Sequence, residues 1–303
     1  MDKDPIRIGT RSSPLALWQA QWVATLLKSI QIPSELVFID SAGDQDGTQP
    51  LYAMNIQGIF TKALDQALLN KDIDIAVHSF KDVPTQLPEN IELGTVLERG
   101  STTDILVYNS PPEQWTETEI VGTSSLRRSA QWKNRYPKHR SEILRGNVQK
   151  RLQTLSEKKW LGALFAQAGL ERVNQLPPNH LALNWMLPAP AQGAVCVVMR
   201  NEEPELQLKL KSLGCETTFK ATDQERIFLR LLEGGCTAPI GACIEPVPNG
   251  WFFRGGVFAL DGSEKVTFEK YFPSKEWQTI GERAAEYVLQ NGGESLMKAF
   301  KKS

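Results

Sequence analysis

Residues 6–19 of this 303-residue chain read IRIGTRSSPLALWQ, and the pattern changes there from strand to helix. Isoleucines at alternate positions favour a short strand over residues 6–10. Ser13 is expected to cap the helix that follows, because its hydroxyl can accept a hydrogen bond from a free N–H of the first turn. Pro14 suits the first helical position, where its missing N–H costs nothing. This stretch therefore predicts a strand, a polar turn and a helix.

The alternation of strands and helices continues along the chain. Residues 36–39 and 73–77 are apolar runs of strand length, and residues 61–69 between them have helical spacing. A second cycle begins near Asp104, and the apolar run 194–199 has the composition of a buried strand. This rhythm is typical of α/β domains with parallel strands.

The last third of the chain has a different pattern. Thr222 and Glu225 form a capping-box pair, which predicts a helix start before an apolar stripe. Asp261-Gly262 predicts a β-hairpin, and a last helix is expected over residues 276–290. The fold class is therefore α/β with a small C-terminal α+β domain. The expected domains are residues 1–98 with 194–212, residues 102–190, and residues 215–303.

The composition excludes several classes of protein. Hydrophobic residues make up 41% and charged residues 23%, unlike disordered or fibrous chains, and the net charge of −1 excludes a generally basic surface. No apolar run reaches the roughly 18 residues of a membrane span, and residues 1–5 have no signal-peptide pattern, so the cytoplasm is expected. Three histidines and four cysteines without a Cys-x-x-Cys pair predict free thiols and no histidine-rich metal site, so no metal is expected, and a mononuclear carboxylate site is the alternative.

Positive charge is concentrated in residues 127–151, where nine Lys or Arg side chains accompany one Glu, a formal charge of +8. Arg127 and Arg128 stand where a strand ends and a helix begins, and the free N–H groups of a helix start also attract anions. Arg11 and Arg145 occupy similar turns. Because arginine binds carboxylates and phosphates in bidentate fashion, the pattern predicts an anionic ligand at the strand ends. A solvated basic face and a nucleic-acid surface are the alternatives.

Two further side chains could carry chemistry. Asp82 comes soon after the apolar run 73–77 and next to Lys81, so it could act as a general acid or stabilise a cation. Alternatively, it pairs with Lys81 or caps a turn. Cys236 follows two glycines in an irregular segment that could present a reactive thiol, and a buried free thiol is the alternative.

Taken in order, six segments resemble the hydroxymethylbilane synthase family, also called porphobilinogen deaminase. The ordered set spans almost the whole chain, although each segment alone is modest. The resemblance implies two domains like those of periplasmic binding proteins and a third that carries a cysteine. The segments are residues 10–19 (TRSSPLALWQ), 78–84 (HSFKDVP), 121–128 (VGTSSLRR), 144–148 (LRGNV), 192–194 (QGA) and 232–236 (LEGGC).

The resemblance also implies a transferase. In this family a dipyrromethane cofactor is attached to a cysteine through a thioether, and Cys236 matches that cysteine. Four porphobilinogen molecules are added in turn with loss of ammonia, and hydrolysis releases the linear tetrapyrrole hydroxymethylbilane. The implied partners are porphobilinogen and the growing oligopyrrole chain, without nucleic acid or membrane, and a monomer is expected.

The family's site residues carry over by position. Asp82 matches the catalytic carboxylate, and Cys236 matches the covalent attachment point. Positions that match further cofactor contacts are Ser79, Lys81, Asp82, Thr123, Ser125, Arg127, Arg128 and Gly146. Positions that match contacts to the acidic groups of the substrate are Arg11, Ser13, Arg145, Arg151 and Arg172.

Three segments depart from the family pattern. Residues 54–62 read MNIQGIFTK where many members have Gly-Gly-Lys-Gly before Phe-Thr-Lys, so a loop lysine is missing. The usual Thr-x-Gly-Asp and Asp-Pro-Arg-Asp segments are SAGD at 41–44 and STTD at 101–104. The residue that makes one of the contacts to the pyrrole carboxylates is therefore left open. The alternative from another class of protein is a secreted ligand-binding protein. Such a protein would also bind its ligand between two domains, but it would not need Cys236.

Overall fold

A computed structural model describes residues 4–40, 61–232 and 238–302. Within them the backbone forms two compact units, one of residues 4–40, 61–100 and 193–219, and the other of residues 101–192, 220–232 and 238–302. The second unit thus combines residues of the second and third expected domains. The three-domain division stays a prediction.

The bounds of the regular elements follow the alternation expected from the sequence. The strands are β1 (Ile6–Thr10), β2 (Ser34–Phe38), β3 (Ile75–Ser79), β4 (Ile91–Val96), β5 (Asp104–Tyr108), β6 (Ile120–Gly122), β7 (Arg140–Glu142), β8 (Gly162–Ala166), β9 (His180–Ala182), β10 (Val195–Arg200), β11 (Ile240–Val247), β12 (Gly250–Phe258) and β13 (Lys265–Pro273). The helices are α1 (Pro14–Ser29), α2 (Lys62–Leu69), α3 (Leu126–Arg135), α4 (Val148–Glu157), α5 (Gln167–Arg172), α6 (Pro204–Ser212), α7 (Glu216–Leu231), α8 (Ile280–Val288) and α9 (Glu294–Lys302).

The first unit contains a five-stranded sheet in the order β2-β1-β3-β10-β4. β1 is parallel to β2 and β3, whereas β10 is antiparallel to β3 and β4. Val197 and Val198 of β10 belong to different apolar clusters, because successive side chains of a strand point to opposite faces. Both faces of the sheet are therefore covered.

The predicted strand over residues 6–10 and the predicted helix start at Ser13 and Pro14 are confirmed. The Ser13 hydroxyl accepts a hydrogen bond from the N–H of Ala16, and Pro14 is the first helical residue. Ala20, Val23 and Leu27 are fully buried at helical spacing. Burial of a side chain such as Val or Leu contributes about 1.5–3 kcal/mol, so this stripe holds α1 on the sheet.

The second unit contains two sheets. One has the order β7-β6-β8-β5-β9, with β6 parallel to β7 and β8 and with β5 antiparallel to β8 and β9. The other is the antiparallel sheet β11-β12-β13, whose apolar residues pack with those of α7, α8 and α9. This mixed architecture, with two sheet-and-helix parts and a small C-terminal sheet, confirms the expected fold class.

The predicted hairpin at Asp261-Gly262 joins β12 to β13. Gly262 has a φ of +80°, and a Cβ there would lie 2.5 Å from the backbone nitrogen of Asn134. The Asn134 side chain donates a 2.8 Å hydrogen bond to the Gly262 carbonyl. Glycine is therefore required both for the turn and for its close contact with the end of α3.

One helix start predicted for the C-terminal part was wrong. The capping box at Thr222 and Glu225 does not start a helix, because both residues are fully buried in the interior of α7. Local sequence rules do not include burial by tertiary packing, and here both polar side chains face the protein interior instead of capping a helix start. The helix expected over residues 276–290 is found as α8, which ends before Gly292 with its φ of +107°, and a further helix that was not expected, α9, follows that glycine. None of the helices in the described ranges is long and apolar enough to cross a membrane.

Candidate functional site

Predicted site residues gather at one edge of the first unit's sheet. β1 and β3 are parallel neighbours, with Ile8 opposite Ile75, so both strands end at the same edge. This arrangement brings the turn after β1, which is predicted to bind anions, close to the segment that contains the predicted catalytic carboxylate. The predicted site residues at or just after these strand ends are Arg11, Ser13, Ser79, Lys81 and Asp82.

Asp82 ends a short 3-10 turn, Phe80–Asp82, that is anchored by its neighbours. Phe80 and Val83 are buried, and the N–H of Phe80 donates a 3.0 Å hydrogen bond to the carbonyl of Ala194. Lys81 and Asp82 are only half-buried. The turn therefore holds the backbone firmly while leaving the carboxylate accessible.

The Ser79 hydroxyl is oriented by a residue that was not predicted as part of the site. Nε2 of Gln19 donates a 2.8 Å hydrogen bond to Oγ of Ser79, and Gln19 is buried on α1. The sequence feature that could have identified Gln19 is its amide side chain on the otherwise apolar face of α1, which it shares with Ala16, Ala20 and Val23.

His78 is a buried and neutral neighbour of these groups. Burial and the positive charge of Arg11 lower the pKa of its imidazole to about 3. Its Nε2 has no hydrogen-bond partner within the described part of the chain. The positive charge at this edge therefore comes from Arg11 and Lys81 rather than from His78.

In the second unit, two neighbouring strand ends lead into helices. β6 and β7 are parallel, and each is followed by a capped helix start. Oγ of Ser125 accepts from the N–H of Arg128 at 3.4 Å, and Oδ1 of Asn147 accepts from the N–H of Lys150 at 3.0 Å. The remaining N–H groups of each first turn and the helix dipole favour bound anions.

Ser124 joins these two turns. Its hydroxyl donates to the carbonyl of Leu144 at 2.7 Å and accepts from the N–H of the same residue at 3.1 Å. Thr123 is buried beside it, and its Oγ1 accepts from the N–H of Ser125 at 3.2 Å. The predicted contact residues Thr123 and Ser125 are thus held next to the turn that contains Arg145.

Gly146 has a φ of +98°, which favours glycine at this position. Nε of Arg151 donates a 2.8 Å hydrogen bond back to the Gly146 carbonyl. This bond directs the Arg151 side chain toward the start of α4, next to Arg145 in the chain. Arg172 ends α5, and burial lowers the pKa of its guanidinium to about 10 while Glu171 opposes the shift, so it stays protonated at neutral pH.

Arg127 and Arg128 share a buried carboxylate, that of Asp104. Nη1 of Arg127 donates to Oδ2 at 2.6 Å and to the Leu187 carbonyl at 2.7 Å. Arg128 donates to Oδ1 from Nε at 2.9 Å and from Nη2 at 2.7 Å. Burial alone would raise the pKa of the Asp104 carboxyl, but the two guanidinium groups hold it well below its usual range.

This pairing limits what the two arginines can offer a ligand. Asp104 and Leu187 take both Nη1 hydrogens of Arg127, so a ligand would have to use its Nε and Nη2 groups. Direct ligand binding by Arg127 and Arg128 stays a prediction. Asp104 was not predicted as part of the site, and its only sequence signal is a carboxylate that opens the apolar strand β5.

Cys236 lies outside the described residues, as do the segments at 41–44 and 54–60 that depart from the family pattern. Among the described cysteines, Cys196 and Cys243 are buried and Cys215 is half-buried, and all are free thiols as expected.

Two family models match this chain. The first is described as "Porphobilinogen deaminase, dipyromethane cofactor binding domain" and matches residues 6–208. The second is described as "Porphobilinogen deaminase, C-terminal domain" and matches residues 219–290.

Curated proteins of similar length match over nearly the whole chain. "Probable porphobilinogen deaminase" of Methanosarcina barkeri is 39% identical over 295 residues, which cover 95% of this chain and 93% of that protein. "Porphobilinogen deaminase" of Syntrophomonas wolfei is 36% identical over 299 residues, covering 96% and 97%. Solved structures are more distant. The VFT2 domain of BvgS from Bordetella pertussis covers 74% of this chain and 91% of its own length at 12% identity with a TM-score of 0.44, too low for an inference.

Proposed function

This chain belongs to the porphobilinogen deaminase family, which makes it a transferase of the hydroxymethylbilane synthase class, and on that premise we propose how its residues perform the reaction. Asp82 is the catalytic carboxylate, and Cys236 carries the dipyrromethane cofactor. The turns after β1, β6 and β7 bind the acetate and propionate groups of the pyrroles. The family match favours this enzyme over the ligand-binding and nucleic-acid alternatives.

The observation that carries the proposal is the joined pair of helix starts in the second unit. Ser124 holds the turn before α3 against the turn before α4, so two sets of first-turn N–H groups lie together with Arg145 and Arg151. Donors of this kind suit several carboxylates on one ligand. Every pyrrole unit in this reaction carries two carboxylates, which explains local positive charge in a chain of net charge −1.

The residues present fit a dipyrromethane group by the chemistry of their donors. Thr123, Ser125, Arg145 and Arg151 would bind its acidic side chains, and Lys81 matches a further cofactor contact of the family. When bound, the cofactor supplies the free pyrrole carbon to which the first new unit is joined. Arg127 would contribute through Nε and Nη2, while Asp104 keeps its guanidinium in place.

Asp82 acts on the incoming porphobilinogen. The aminomethyl group of porphobilinogen is an ammonium group at neutral pH, so when the bond between the carbon and the nitrogen breaks, ammonia leaves with the bonding electron pair and positive charge spreads over the pyrrole. A carboxylate beside the pyrrole N–H accepts that hydrogen bond and stabilises the charge. After the new carbon–carbon bond forms, Asp82 can act as a general base that accepts and passes on the proton lost from the pyrrole ring carbon that made the bond.

Membership of the family also leads to a proposal for the partners of the protein and for its location. We propose that porphobilinogen is the substrate and that the protein acts as a monomer in the cytoplasm without nucleic acid. Analytical ultracentrifugation of the loaded enzyme should give a mass near 33.9 kDa plus that of the bound pyrroles. A stable dimer would contradict this part of the proposal.

The intact mass of the purified protein tests the proposal directly. We expect a covalent excess equal to two linked pyrrole units, which should be absent from Cys236→Ala. Cys215→Ala is the matched control, since it removes another thiol and should keep the excess. If unmodified wild-type protein gains no mass after incubation with porphobilinogen, the proposed function is wrong.

A further inference from the structure

Arg127, Arg128 and Asp104 form a group that we call the arginine cluster, and residues 187–192, LPAPAQ, contact it at both ends of their segment. At one end, the Gln131 amide donates to the Leu187 carbonyl at 2.9 Å and accepts from its N–H at 2.8 Å. At the other end, Nε2 of Gln192 donates to the Thr102 carbonyl at 2.8 Å and to Oδ1 of Asp104 at 3.0 Å. The position of this segment therefore affects the carboxylate that holds Arg127 and Arg128.

Glu225 attaches the same segment to α7 and β11. Its Oε2 accepts from the N–H of Ala191 at 2.6 Å, and its Oε1 accepts from the N–H of Ile244 at 2.7 Å. Glu225 is fully buried, and Ala191 has a φ of +61°, a strained conformation for a residue with a Cβ. The N–H of Ala242 adds a 3.0 Å bond to the Pro188 carbonyl.

The two elements that Glu225 joins are the ones that precede and follow Cys236 in the chain, since α7 ends at Leu231 and β11 begins at Ile240. We propose that Glu225 is a positioning residue. Its carboxylate fixes α7 and β11 against residues 187–192, and through Gln192 and Asp104 it sets the distance between this part of the chain and the arginine cluster. This inference rests on the proposed function, because it assigns Glu225 to the loading of the cofactor.

A carboxylate is suited to this position in a way that an amide is not. Two backbone N–H donors, from Ala191 and Ile244, each need an acceptor in a buried place. Glutamate supplies two acceptor oxygens, whereas glutamine supplies one and places an NH2 group against the other donor. Glu225→Gln should therefore release either the segment or β11 while preserving the size of the side chain.

Gln224 provides a matched control on the same helix. It is also buried, and its Oε1 accepts a 3.0 Å hydrogen bond from the N–H of Gly281 on α8. Gln224→Leu removes a buried side-chain oxygen that accepts from a backbone N–H, as Glu225→Gln does, but it leaves residues 187–192 untouched. A loss of stability without a change in positioning is thus expected from the control.

The test measures cofactor loading rather than turnover. Full-length apo-protein, made in a host without porphobilinogen, is mixed with porphobilinogen, and the covalent mass gain is followed with time. We expect Glu225→Gln and Glu225→Asp to load at least about ten-fold more slowly than wild type, and Gln224→Leu to load at the wild-type rate despite a lower unfolding midpoint.

The outcomes separate this inference from the function on which it rests. If wild type gains no mass, the proposed function fails. If wild type loads and Glu225→Gln loads equally fast, or if loading of all variants merely follows their unfolding midpoints, the positioning role is wrong. If neither Glu225 variant folds while Gln224→Leu does, Glu225 is a structural residue and the inference is overturned.

Discussion

Nη1 of Arg127 lies 2.6 Å from Oδ2 of Asp104, and only 5% and 0% of the two side chains are exposed. Arg128 contacts the other carboxylate oxygen at 2.7 Å. One buried carboxylate is thus shared by two guanidinium groups at the start of α3. Because removal of one partner leaves the other charges buried and uncompensated, this cluster should be highly sensitive to changes at Asp104.

Asp104→Asn should lower the free energy of unfolding by about 3–5 kcal/mol, the usual cost of breaking a buried ion pair. Urea denaturation of the two proteins measures the difference. Glu117→Gln is the control, since Glu117 pairs with Lys138 on the exposed surface at 2.5 Å and should cost less than about 1 kcal/mol. Equal losses in the two variants would show that Asp104 is not a specific anchor of the arginines.

His78 should make the stability of the protein depend on pH below neutrality. Burial and Arg11 lower the pKa of its imidazole to about 3, whereas an unfolded histidine titrates near 6.5. Between these values the unfolded state binds a proton that the native state does not, so stability falls as the pH falls. The slope due to His78 approaches about 1.4 kcal/mol per pH unit near pH 5.

His78→Gln should remove this slope. Urea midpoints at several values between pH 5 and 6.5 lie above the range in which most carboxylates titrate, so the comparison isolates the histidine. Below about pH 4 both proteins should still lose stability, because the lowered pKa of Asp104 makes its ion pairs sensitive to protonation. Parallel curves for wild type and variant above pH 5 would contradict the assignment of a neutral His78.

The sequence predicted what depends on neighbouring residues and missed what depends on distant ones. The caps at Ser13, Ser125 and Asn147 act within three positions of themselves, so their helix starts could be predicted. Asp104 and Arg127 are 23 positions apart, and Glu225 is 34 positions from Ala191. Those contacts exist only once the sheet and α7 have packed, which local patterns cannot indicate.

Asp82→Asn should fold normally and lose activity. Because the change removes the negative charge and the base while keeping the shape, turnover should fall by about 100- to 10,000-fold. Formation of the tetrapyrrole product under steady-state conditions measures this. Asp72→Asn is the control, since Asp72 is exposed on the same unit and should retain wild-type activity. More than a tenth of wild-type turnover in Asp82→Asn would contradict the catalytic role.

Ser124→Ala should weaken substrate binding more than it slows the chemical step. The substitution removes both hydrogen bonds to Leu144, so the turn that contains Arg145 can move relative to the turn before α3. Each lost bond costs about 0.5–1.5 kcal/mol, and part of that loss should appear as a KM raised several-fold with kcat nearly unchanged.

Ser129→Ala separates this effect from a general loosening of α3. Oγ of Ser129 lies 2.7 Å from Oγ of Ser141, so its removal also breaks a hydrogen bond, but one between α3 and β7 rather than between the two turns. We expect a similar drop in the unfolding midpoint and an unchanged KM for porphobilinogen. If the two serine variants raise KM equally, the joined helix starts do not bind the acidic groups of the substrate as proposed.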